Sequence, residues 1–291
     1  MKYFDESLFL KNESLKKYCT FKVGGNAKFL FIANSKQSLI KVCKYCQLHN
    51  IKFKVIGLGA NLVFDDLGFN GAIIVNKSNK ILLKDDVAFV DSGVYVSTLI
   101  SKCVERNLGG IEKLAGIPST IGGGIVNSLG AFNTNLCDFV EQVECYKLED
   151  LNTQLTLNQE DCLFGYRTSI FKNNDYLITG IKFNFKHSNS TEIRENMITA
   201  LTYKKSTQPL NYPSAGSVFK RCEIVPAKVI DELGLKGLRI GDAEISTKHA
   251  GFIVNLGNAT SQDIKNLVNF VKNEVKNTHN VDLETEIEFV N

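Results

Sequence analysis

The stretch KLAGIPSTIGGGIVN (Lys113–Asn127) places four glycines and a proline within fifteen residues, between a helical pattern and a strand pattern. It matches neither the GxxxxGK[ST] phosphate loop nor the GxGxxG dinucleotide fingerprint. Main-chain N–H groups on such turns can form concave anion sites, because no Cβ blocks the approach of a phosphate oxygen. A tight turn without a ligand uses the same residues, so this stretch alone does not separate the two interpretations.

A second glycine-rich turn occurs earlier, in VIGLGANLVF (Val55–Phe64), where Gly57 and Gly59 come directly after a strand pattern. Two such turns in different lobes can clamp a diphosphate between them. The pair therefore predicts a dinucleotide that is held without a Rossmann motif.

The composition is that of an ordinary globular protein, with 44% hydrophobic and 22% charged residues among 291. This length favours two or three domains over one. The formal net charge of +3 and the scattered Lys and Arg residues argue against a nucleic-acid partner but allow a small anionic ligand. No apolar run approaches the roughly 20 residues that span a bilayer, and the N-terminus carries acids and no signal-peptide core. We therefore expect a cytoplasmic protein without membrane insertion, and no pattern indicates an obligate protein partner.

The eight cysteines are irregularly spaced, and we expect them to be reduced. Cys43 and Cys46 form a lone CxxC on the apolar face of a predicted helix, Ser38–His49. A redox CxxC should open a helix after a strand, and a zinc site needs a second pair of ligands. We therefore predict that both are buried small hydrophobic residues, and we expect no metal site.

The hydrophobic patterns divide the chain into three blocks of mixed helices and strands. The first has the strands KFLFIA and KFKVIG on either side of the helix Ser38–His49, followed by GAIIV. The second has the strand VAFVDSG, the helix VSTLISKCVERN, the glycine-rich stretch and the strands VECYKL and YLITGIKFNF. The third has the strand AGFIVN, helices at AKVIDELGLKG and Ser261–His279, and a half-exposed closing strand, VDLETEIEFV. We predict an α+β chain with domains at 1–80, 81–188 and 189–291, the last boundary lying where the sequence turns polar.

Seven motifs follow one another along nearly the whole chain. They are TFKVGGNA (Thr20–Ala27), GLGANL (Gly57–Leu62), LAGIPSTIGGGIVNSLGAF (Leu114–Phe132), FGYRTSIFK (Phe164–Lys172), PSAGSVFKR (Pro213–Arg221), STKHAGFIVN (Ser246–Asn255) and the closing LETEIEF. In this set and order the chain resembles the UDP-N-acetylenolpyruvoylglucosamine reductase (MurB) family. The resemblance implies a two-lobed FAD-binding fold of the vanillyl-alcohol oxidase type and a C-terminal α+β substrate-binding domain. Because the chain is short and has no insertion between YRTSIF and SVFKR, it resembles the subfamily without the substrate-capping tyrosine loop.

The resemblance implies that the glycine-rich turns hold a tightly bound FAD. The residues implied in FAD binding are Gly57, Leu58, Gly59, Ala60, Asn61, Leu62, Gly116, Ile117, Pro118, Ser119, Thr120, Gly122 and Gly123. The sequence departs from the family at Ala60, Ser119 and Ser128, where serine, glycine and asparagine are usual. A serine at position 119 restricts φ but still offers its N–H group, so we expect FAD binding to persist.

The implied reaction is the NADPH-dependent, FAD-mediated reduction of an enolpyruvyl ether on UDP-N-acetylglucosamine to a lactyl ether, which gives UDP-N-acetylmuramate. Hydride arrives at C3 of the enolpyruvyl group, so negative charge develops on C2 and its carboxylate. This chemistry needs a cation on the carboxylate, an acid that protonates C2 and a partner that polarises the enolate. By resemblance these are Arg167, Ser217 and Glu286, respectively.

Further substrate contacts are implied for Tyr166, Lys220, Arg221 and His249. On local grounds alone, the three catalytic candidates have other interpretations. Arg167 could be a surface arginine in a turn, Ser217 the start of a strand, and Glu286 part of a solvated acidic edge.

Two other functions are open at the level of the sequence. A related FAD-dependent oxidase or dehydrogenase of a small alcohol or hydroxy acid would explain the first two lobes. It would not explain PSAGSVFKR or the acidic closing strand. A catalytically silent FAD- or nucleotide-binding protein is compatible with the departures at Ala60, Ser119 and Ser128.

Overall fold

The computed structural model describes residues 6–173 and 175–291. The chain forms two compact units, each built from several segments. The first unit contains the described residues up to Leu10, with Leu30–Leu58 and Ala72–Lys204, and the second contains Lys11–Phe29, Gly59–Gly71 and Lys205–Asn291. The division into three domains stays a prediction.

Two of the longer helices begin at typical capping residues, Ser35 and Thr260. Thr260 and Asp263 form a capping box at the start of the last helix, which buries one apolar stripe as predicted. The predicted helix Ser38–His49 is also confirmed, although it begins two residues earlier, after the capping residue Ser35. The α-helices of the described residues are α1 (Lys36–Leu48), α2 (Val96–Glu105), α3 (Ile121–Val126), α4 (Ser190–Thr207), α5 (Pro226–Glu232) and α6 (Ser261–His279).

The strands are mostly short. Those of the described residues are β1 (Leu10–Ser14), β2 (Asn26–Ala33), β3 (Phe53–Ile56), β4 (Leu62–Phe64), β5 (Phe69–Asn76), β6 (Ile81–Lys84), β7 (Val87–Asp91), β8 (Leu108–Gly109), β9 (Gly130–Ala131), β10 (Thr134–Asn135), β11 (Val140–Lys147), β12 (Asp150–Asn158), β13 (Tyr176–Asn184), β14 (Lys186–His187), β15 (Arg239–Ile240), β16 (Ala243–Ile245), β17 (Ile253–Asn255) and β18 (Glu288–Val290). The α+β class predicted from the sequence is confirmed.

An antiparallel sheet dominates the first unit, in the order β12–β11–β13–β7–β6. Val143 and Ile181 of this sheet share one apolar core with Leu99 of α2 and Ile125 of α3. In the same unit, β3 pairs in parallel with β5 from Phe53 opposite Ala72 onward. The core thus places α3 beside the sheet and fixes the glycine-rich stretch in which α3 begins.

The second unit has a smaller antiparallel sheet, β15–β16–β17, on which α6 packs. Its closing strand β18 pairs in parallel with β4, from Glu288 opposite Leu62 to Val290 opposite Phe64. The closing strand is shorter than predicted, since the pairing at Thr285 is an isolated bridge to Phe219.

Two helices differ from the sequence prediction. The polar region after residue 188, interpreted as a boundary, forms α4, whose buried residues are Ile193, Ala200 and Lys204. That stripe is narrow and includes a lysine, so it did not stand out as amphipathic. The glycine-rich stretch, interpreted as a turn, contains the short helix α3, because Thr120 caps its first turn.

The CxxC cysteines are buried in α1, as predicted. Burial raises the pKa of the Cys46 thiol to about 12 and raises the pKa of Cys43 as well. Both are therefore thiols at neutral pH and behave as small hydrophobic residues. Over residues 6–173 and 175–291, no cluster of three or more His, Cys, Asp or Glu suits a metal ion. No helix within these ranges is both long and apolar enough to span a membrane.

Candidate active site

The start of the earlier glycine-rich turn, at Gly57, lies beside Thr120 of the later stretch within the first unit. Gly57 directly follows β3, and a Cβ placed on it would lie 2.1 Å from Oγ1 of Thr120. Thr120 caps α3 by accepting a hydrogen bond from the amide of Gly123. Position 57 therefore requires glycine, because a larger residue would push the turns apart. The turn continues into the second unit after Leu58.

Part of the glycine-rich stretch is already hydrogen-bonded within the protein. The amide of Ile121 donates to the carbonyl of Val94 at 2.7 Å, and that of Gly122 donates to the carbonyl of Ser92 at 2.7 Å. Together with the capping bond of Gly123, these contacts hold the first turn of α3 in place. These amides are engaged within the protein itself.

The segment before α3 carries the donors that an anion needs. Within the described part of the chain, the amides of Gly116, Ser119 and Thr120 have no hydrogen-bond acceptor. Gly116 is exposed and has a φ of +78°, a region that favours glycine. A diphosphate is the kind of group that such amides bind. The residues at 116–120 thus fit this part of FAD better than the amides of α3 do.

Gly123 distinguishes between the two interpretations of the glycine-rich stretch, a ligand site and a tight turn without a ligand. A Cβ on Gly122 or Gly124 would lie 3.0 or 2.8 Å from another protein atom, so packing explains both glycines. A Cβ on Gly123 would meet only the hydroxyls of Ser119 and Thr120, each at 3.4 Å, which is an ordinary contact. The fold itself tolerates a side chain at position 123, whereas a group bound over Ser119 and Thr120 would not. This arrangement fits FAD.

Helix α4 supports this segment with a buried lysine. A Cβ on Gly116 would lie 2.9 Å from Cδ2 of Leu201, and Nζ of Lys204 donates a hydrogen bond to the carbonyl of Ala115. Lys204 is 4% exposed, and burial lowers its pKa to about 8. Its ammonium lies 5.5 Å from the ring centroid of Phe132. No sequence pattern pointed to this residue, because α4 itself was not predicted.

The three departures from the family pattern are accommodated by the backbone. Neither Ala60 nor Ser119 has a positive φ, so serine at position 119 carries no backbone strain. Ser128 does have a φ of +45°, where asparagine is better tolerated than serine. Its buried hydroxyl accepts a hydrogen bond from Asn135 at 2.9 Å, which stabilises this conformation.

Arg167 lies next to the segment that follows α3. Its Nη1 donates to the carbonyl of Gly130 at 3.2 Å, and its guanidinium lies 5.5 Å from the ring centroid of Tyr166. Arg167 has a φ of +55°, which is uncommon for a residue with a side chain. Tyr166 is exposed and Arg167 is half-buried. The first unit thus brings Arg167 together with the helix that carries Gly123.

Ser217 and Glu286 belong to neighbouring segments of the second unit. The amide of Glu286 donates to the carbonyl of Val218 at 2.7 Å, and the amide of Val218 donates to the carbonyl of Gly251 at 2.9 Å. The Ser217 segment is therefore paired on both sides. Ser217 is exposed and Glu286 is half-buried, so both residues are accessible, as groups that act on a substrate must be.

Asn61 makes contacts that the sequence did not predict. Its Nδ2 donates to the carbonyl of Glu286 at 2.9 Å, and its own carbonyl accepts from the amide of Glu288 at 2.9 Å. The first contact joins residues 225 positions apart, so no local pattern could have revealed it. The side chain of Asn61 thus helps to fix the backbone of Glu286.

The other predicted substrate contacts of the second unit have different environments. Nζ of Lys220 lies 2.8 Å from Oε2 of Glu284, and Arg221 is exposed. His249 is half-buried, its Nδ1 accepts from the amide of Gly251 at 3.1 Å, and burial lowers its pKa. A neutral ring with Nδ1 as acceptor carries its proton on Nε2. His249 can therefore donate that proton in a hydrogen bond to a carbonyl oxygen.

Family models match an N-terminal and a C-terminal part of the chain. A family model described as an FAD binding domain matches residues 27–150. Another, described as the C-terminal domain of UDP-N-acetylenolpyruvoylglucosamine reductase, matches residues 208–290. These matches confirm the expectation of an FAD-binding domain followed by a C-terminal domain of this reductase.

Whole-chain comparisons agree with these matches. The UDP-N-acetylenolpyruvoylglucosamine reductase of Pseudothermotoga lettingae is 38% identical over 280 residues, which cover 95% of this chain and 96% of the relative. That of Thermotoga maritima is 39% identical over 279 residues, with coverage of 95% and 96%. The crystal structure of the reductase (MurB) from Thermus caldophilus matches with a TM-score of 0.82 and 31% identity, covering 95% of this chain and 97% of that one. The chain therefore belongs to the UDP-N-acetylenolpyruvoylglucosamine reductase (MurB) family.

Proposed function

We propose that the protein catalyses the NADPH-dependent, FAD-mediated reduction of UDP-N-acetylglucosamine enolpyruvate to UDP-N-acetylmuramate, a step of peptidoglycan precursor synthesis. The observation that carries this function is the presence, in one chain, of an FAD-binding domain and this reductase's own C-terminal domain. Relatives with the name of this reductase match the chain, and each match covers 95% of its length. FAD is the cofactor, NADPH the hydride donor and the UDP-sugar the substrate. We propose that the reaction takes place in the cytoplasm.

The segment before α3 is proposed to bind the diphosphate of the cofactor. When bound, FAD would take a hydride from NADPH and supply it to C3 of the enolpyruvyl group. The amides of Gly116, Ser119 and Thr120 are suited to hold its diphosphate, because no protein acceptor within the described residues occupies them. Gly123 leaves the adjoining surface open, and Gly57 lets the two turns approach closely.

Arg167 is proposed to bind the substrate carboxylate. A guanidinium has five N–H donors in a planar fork that matches a carboxylate with two parallel hydrogen bonds. One nitrogen donates to the carbonyl of Gly130, which helps to orient the guanidinium. The charge of Arg167 then stabilises the negative charge that develops beside C2.

Ser217 is proposed to protonate C2, and Glu286 to polarise the enolate. A hydroxyl is a weak acid at neutral pH, but a carbanion-like C2 is a far stronger base than its usual partners. The hydrogen bond from the amide of Glu286 to the carbonyl of Val218 fixes the backbone of Glu286 beside that of Val218, which directly follows Ser217. A neutral His249 is proposed to donate to a carbonyl oxygen of the uracil, with Tyr166, Lys220 and Arg221 as further contacts.

Spectroscopy of the purified protein tests this function against its alternatives. We expect flavin absorbance that NADPH bleaches and that UDP-N-acetylglucosamine enolpyruvate restores. A yellow protein that a small alcohol or hydroxy acid bleaches, but that NADPH does not, would indicate a different FAD-dependent oxidase or dehydrogenase. A protein that binds FAD but is never bleached would indicate a silent binding protein, and a colourless one would contradict both enzyme functions.

A further inference from the structure

Lys172 closes the motif FGYRTSIFK and has no role in the chemistry described above. Its Nζ donates one hydrogen bond to Oδ1 of Asn127 at 2.8 Å and another to the main-chain carbonyl of Arg167 at 3.2 Å. The residue is half-buried. Because an ammonium has three donors, a single side chain here joins two separate segments of the first unit.

One of these segments is the end of α3. Asn127 is the C-cap of α3, and its Nδ2 donates to the carbonyl of Gly123 at 3.3 Å. The amide group of Asn127 is therefore oriented at both ends, with its oxygen towards Lys172. Through Asn127, Lys172 is connected to the glycine that adjoins the proposed diphosphate segment.

The other segment is the backbone of Arg167. With a φ of +55°, Arg167 occupies the left-handed region, which is unfavourable for a residue with a Cβ and persists only where neighbouring contacts hold it. Lys172 binds the carbonyl of this residue, while Gly130 binds its guanidinium. One contact fixes the peptide and the other the side chain.

We propose that Lys172 is a positioning residue that holds Arg167 in the conformation in which its guanidinium binds the substrate carboxylate. The inference rests on the proposed function, because it assumes a carboxylate at Arg167. In this proposal Lys172 acts through Arg167 and not through a contact of its own with the carboxylate. Its effect should therefore appear only with ligands that carry the carboxylate.

The fold does not depend on Lys172 alone. Oγ of Ser169 donates to the carbonyl of Val126 at 2.8 Å, and Phe171 is fully buried in the core. These contacts keep the motif attached to the end of α3 when Lys172 is changed. We therefore expect Lys172→Met, which keeps the length and removes the donors, to fold. Lys172→Arg keeps a charge and donors and serves as the conservative variant.

The deciding experiment compares two ligands on oxidised holoenzyme without NADPH, by calorimetry. UDP-N-acetylglucosamine enolpyruvate carries the carboxylate, and UDP-N-acetylglucosamine lacks it. For Lys172→Met we expect binding of the enolpyruvyl ligand to weaken by roughly 10-fold, the scale of one charge-assisted hydrogen bond, with less than about a 2-fold change for the other ligand. Lys172→Arg should recover part of this loss. Lys182→Met is the matched control, since Lys182 is also half-buried but pairs with Glu141 elsewhere on the sheet.

Stopped-flow absorbance provides a second readout. Lys172→Met should be bleached by NADPH at the wild-type rate and restored by substrate more slowly than the wild type. Equal weakening of both ligands, or wild-type binding of both, would overturn the positioning role. A wild-type protein that substrate does not restore would instead contradict the proposed function, and the ligand comparison would still decide the role of Lys172.

Discussion

Substitution of Gly123 tests whether the glycine-rich stretch is a cofactor site. A Cβ at this position makes only ordinary contacts, at 3.4 Å from the hydroxyls of Ser119 and Thr120. In a helix, valine is more favourable than glycine by about 0.3 kcal/mol, which offsets minor crowding. We therefore expect the FAD-free Gly123→Val protein to unfold within about 2 °C of the wild type, since 1 kcal/mol corresponds to roughly 2–4 °C at this size.

FAD binding should respond very differently. The valine methyls would occupy the surface beside the amides of Ser119 and Thr120 and would push the diphosphate away from both. Two lost hydrogen bonds to a charged group amount to about 3–6 kcal/mol. The expected loss of FAD affinity is roughly 10²- to 10⁴-fold, so the purified variant should be colourless.

The assay is reconstitution of FAD-free protein, followed by flavin fluorescence, with thermal unfolding measured on the same samples. Gly57→Ala is the comparison, because its Cβ would lie 2.1 Å from Thr120 Oγ1. Such overpacking costs about 1–3 kcal/mol and should lower the melting temperature itself by roughly 2–12 °C. Wild-type FAD affinity in Gly123→Val would refute the assignment, and so would a melting temperature as low as that of Gly57→Ala.

Three further predictions concern single side chains. Arg167→Lys should slow restoration of the flavin absorbance by substrate roughly 10²-fold, since a point charge lacks the planar fork; an unchanged rate in stopped-flow experiments would remove Arg167 from the site. Ser217→Ala should be bleached by NADPH at close to the wild-type rate but restored roughly 10³-fold more slowly, with partial recovery in Ser217→Cys; equal slowing of both steps would place the acid elsewhere. Lys204 has a pKa of about 8 in the folded state, against 10.5 ordinarily, so the unfolded state binds more protons between these values. The free energy of unfolding of FAD-free protein should therefore rise by up to about 3 kcal/mol across this window, relative to Lys204→Met, in denaturant titrations at pH 7.5 and 10.5.

Much of the fold could be predicted because its helices and strands show strong local periodicity. The helix Ser261–His279 is predicted with its bounds, since five apolar residues recur at helical spacing; the cap at Thr260 is a finding of the structure. Helix α4 is not predicted, because a lysine, Lys204, takes one of its few buried positions. The burial of this lysine is explained by its hydrogen bond to the carbonyl of Ala115, which lies 89 residues away in sequence.

The candidate site could also be predicted only in part. The types of residue at 57, 123, 167, 217 and 286 indicated a function through their motifs, without any contact being known. The contact of Gly57 with Thr120 and that of Asn61 with Glu286 are tertiary, and no periodicity encodes them. The sequence also suggested that glycines serve the ligand, whereas packing accounts for Gly57 at least.

The parallel pairing of β4 with β18 determines when the second unit can assemble during synthesis. Leu62 emerges from the ribosome long before Glu288, its partner in the register. Contacts between residues so distant in sequence form slowly, because a long loop must close before any pairing stabilises it. The segments of the first unit are complete once Lys204 has been translated, so α3 and Arg167 can pack early. Glu286 reaches its place against Val218 only after almost all of residues 205–291 have appeared, so the proposed acid and its partner in the second unit take their positions late.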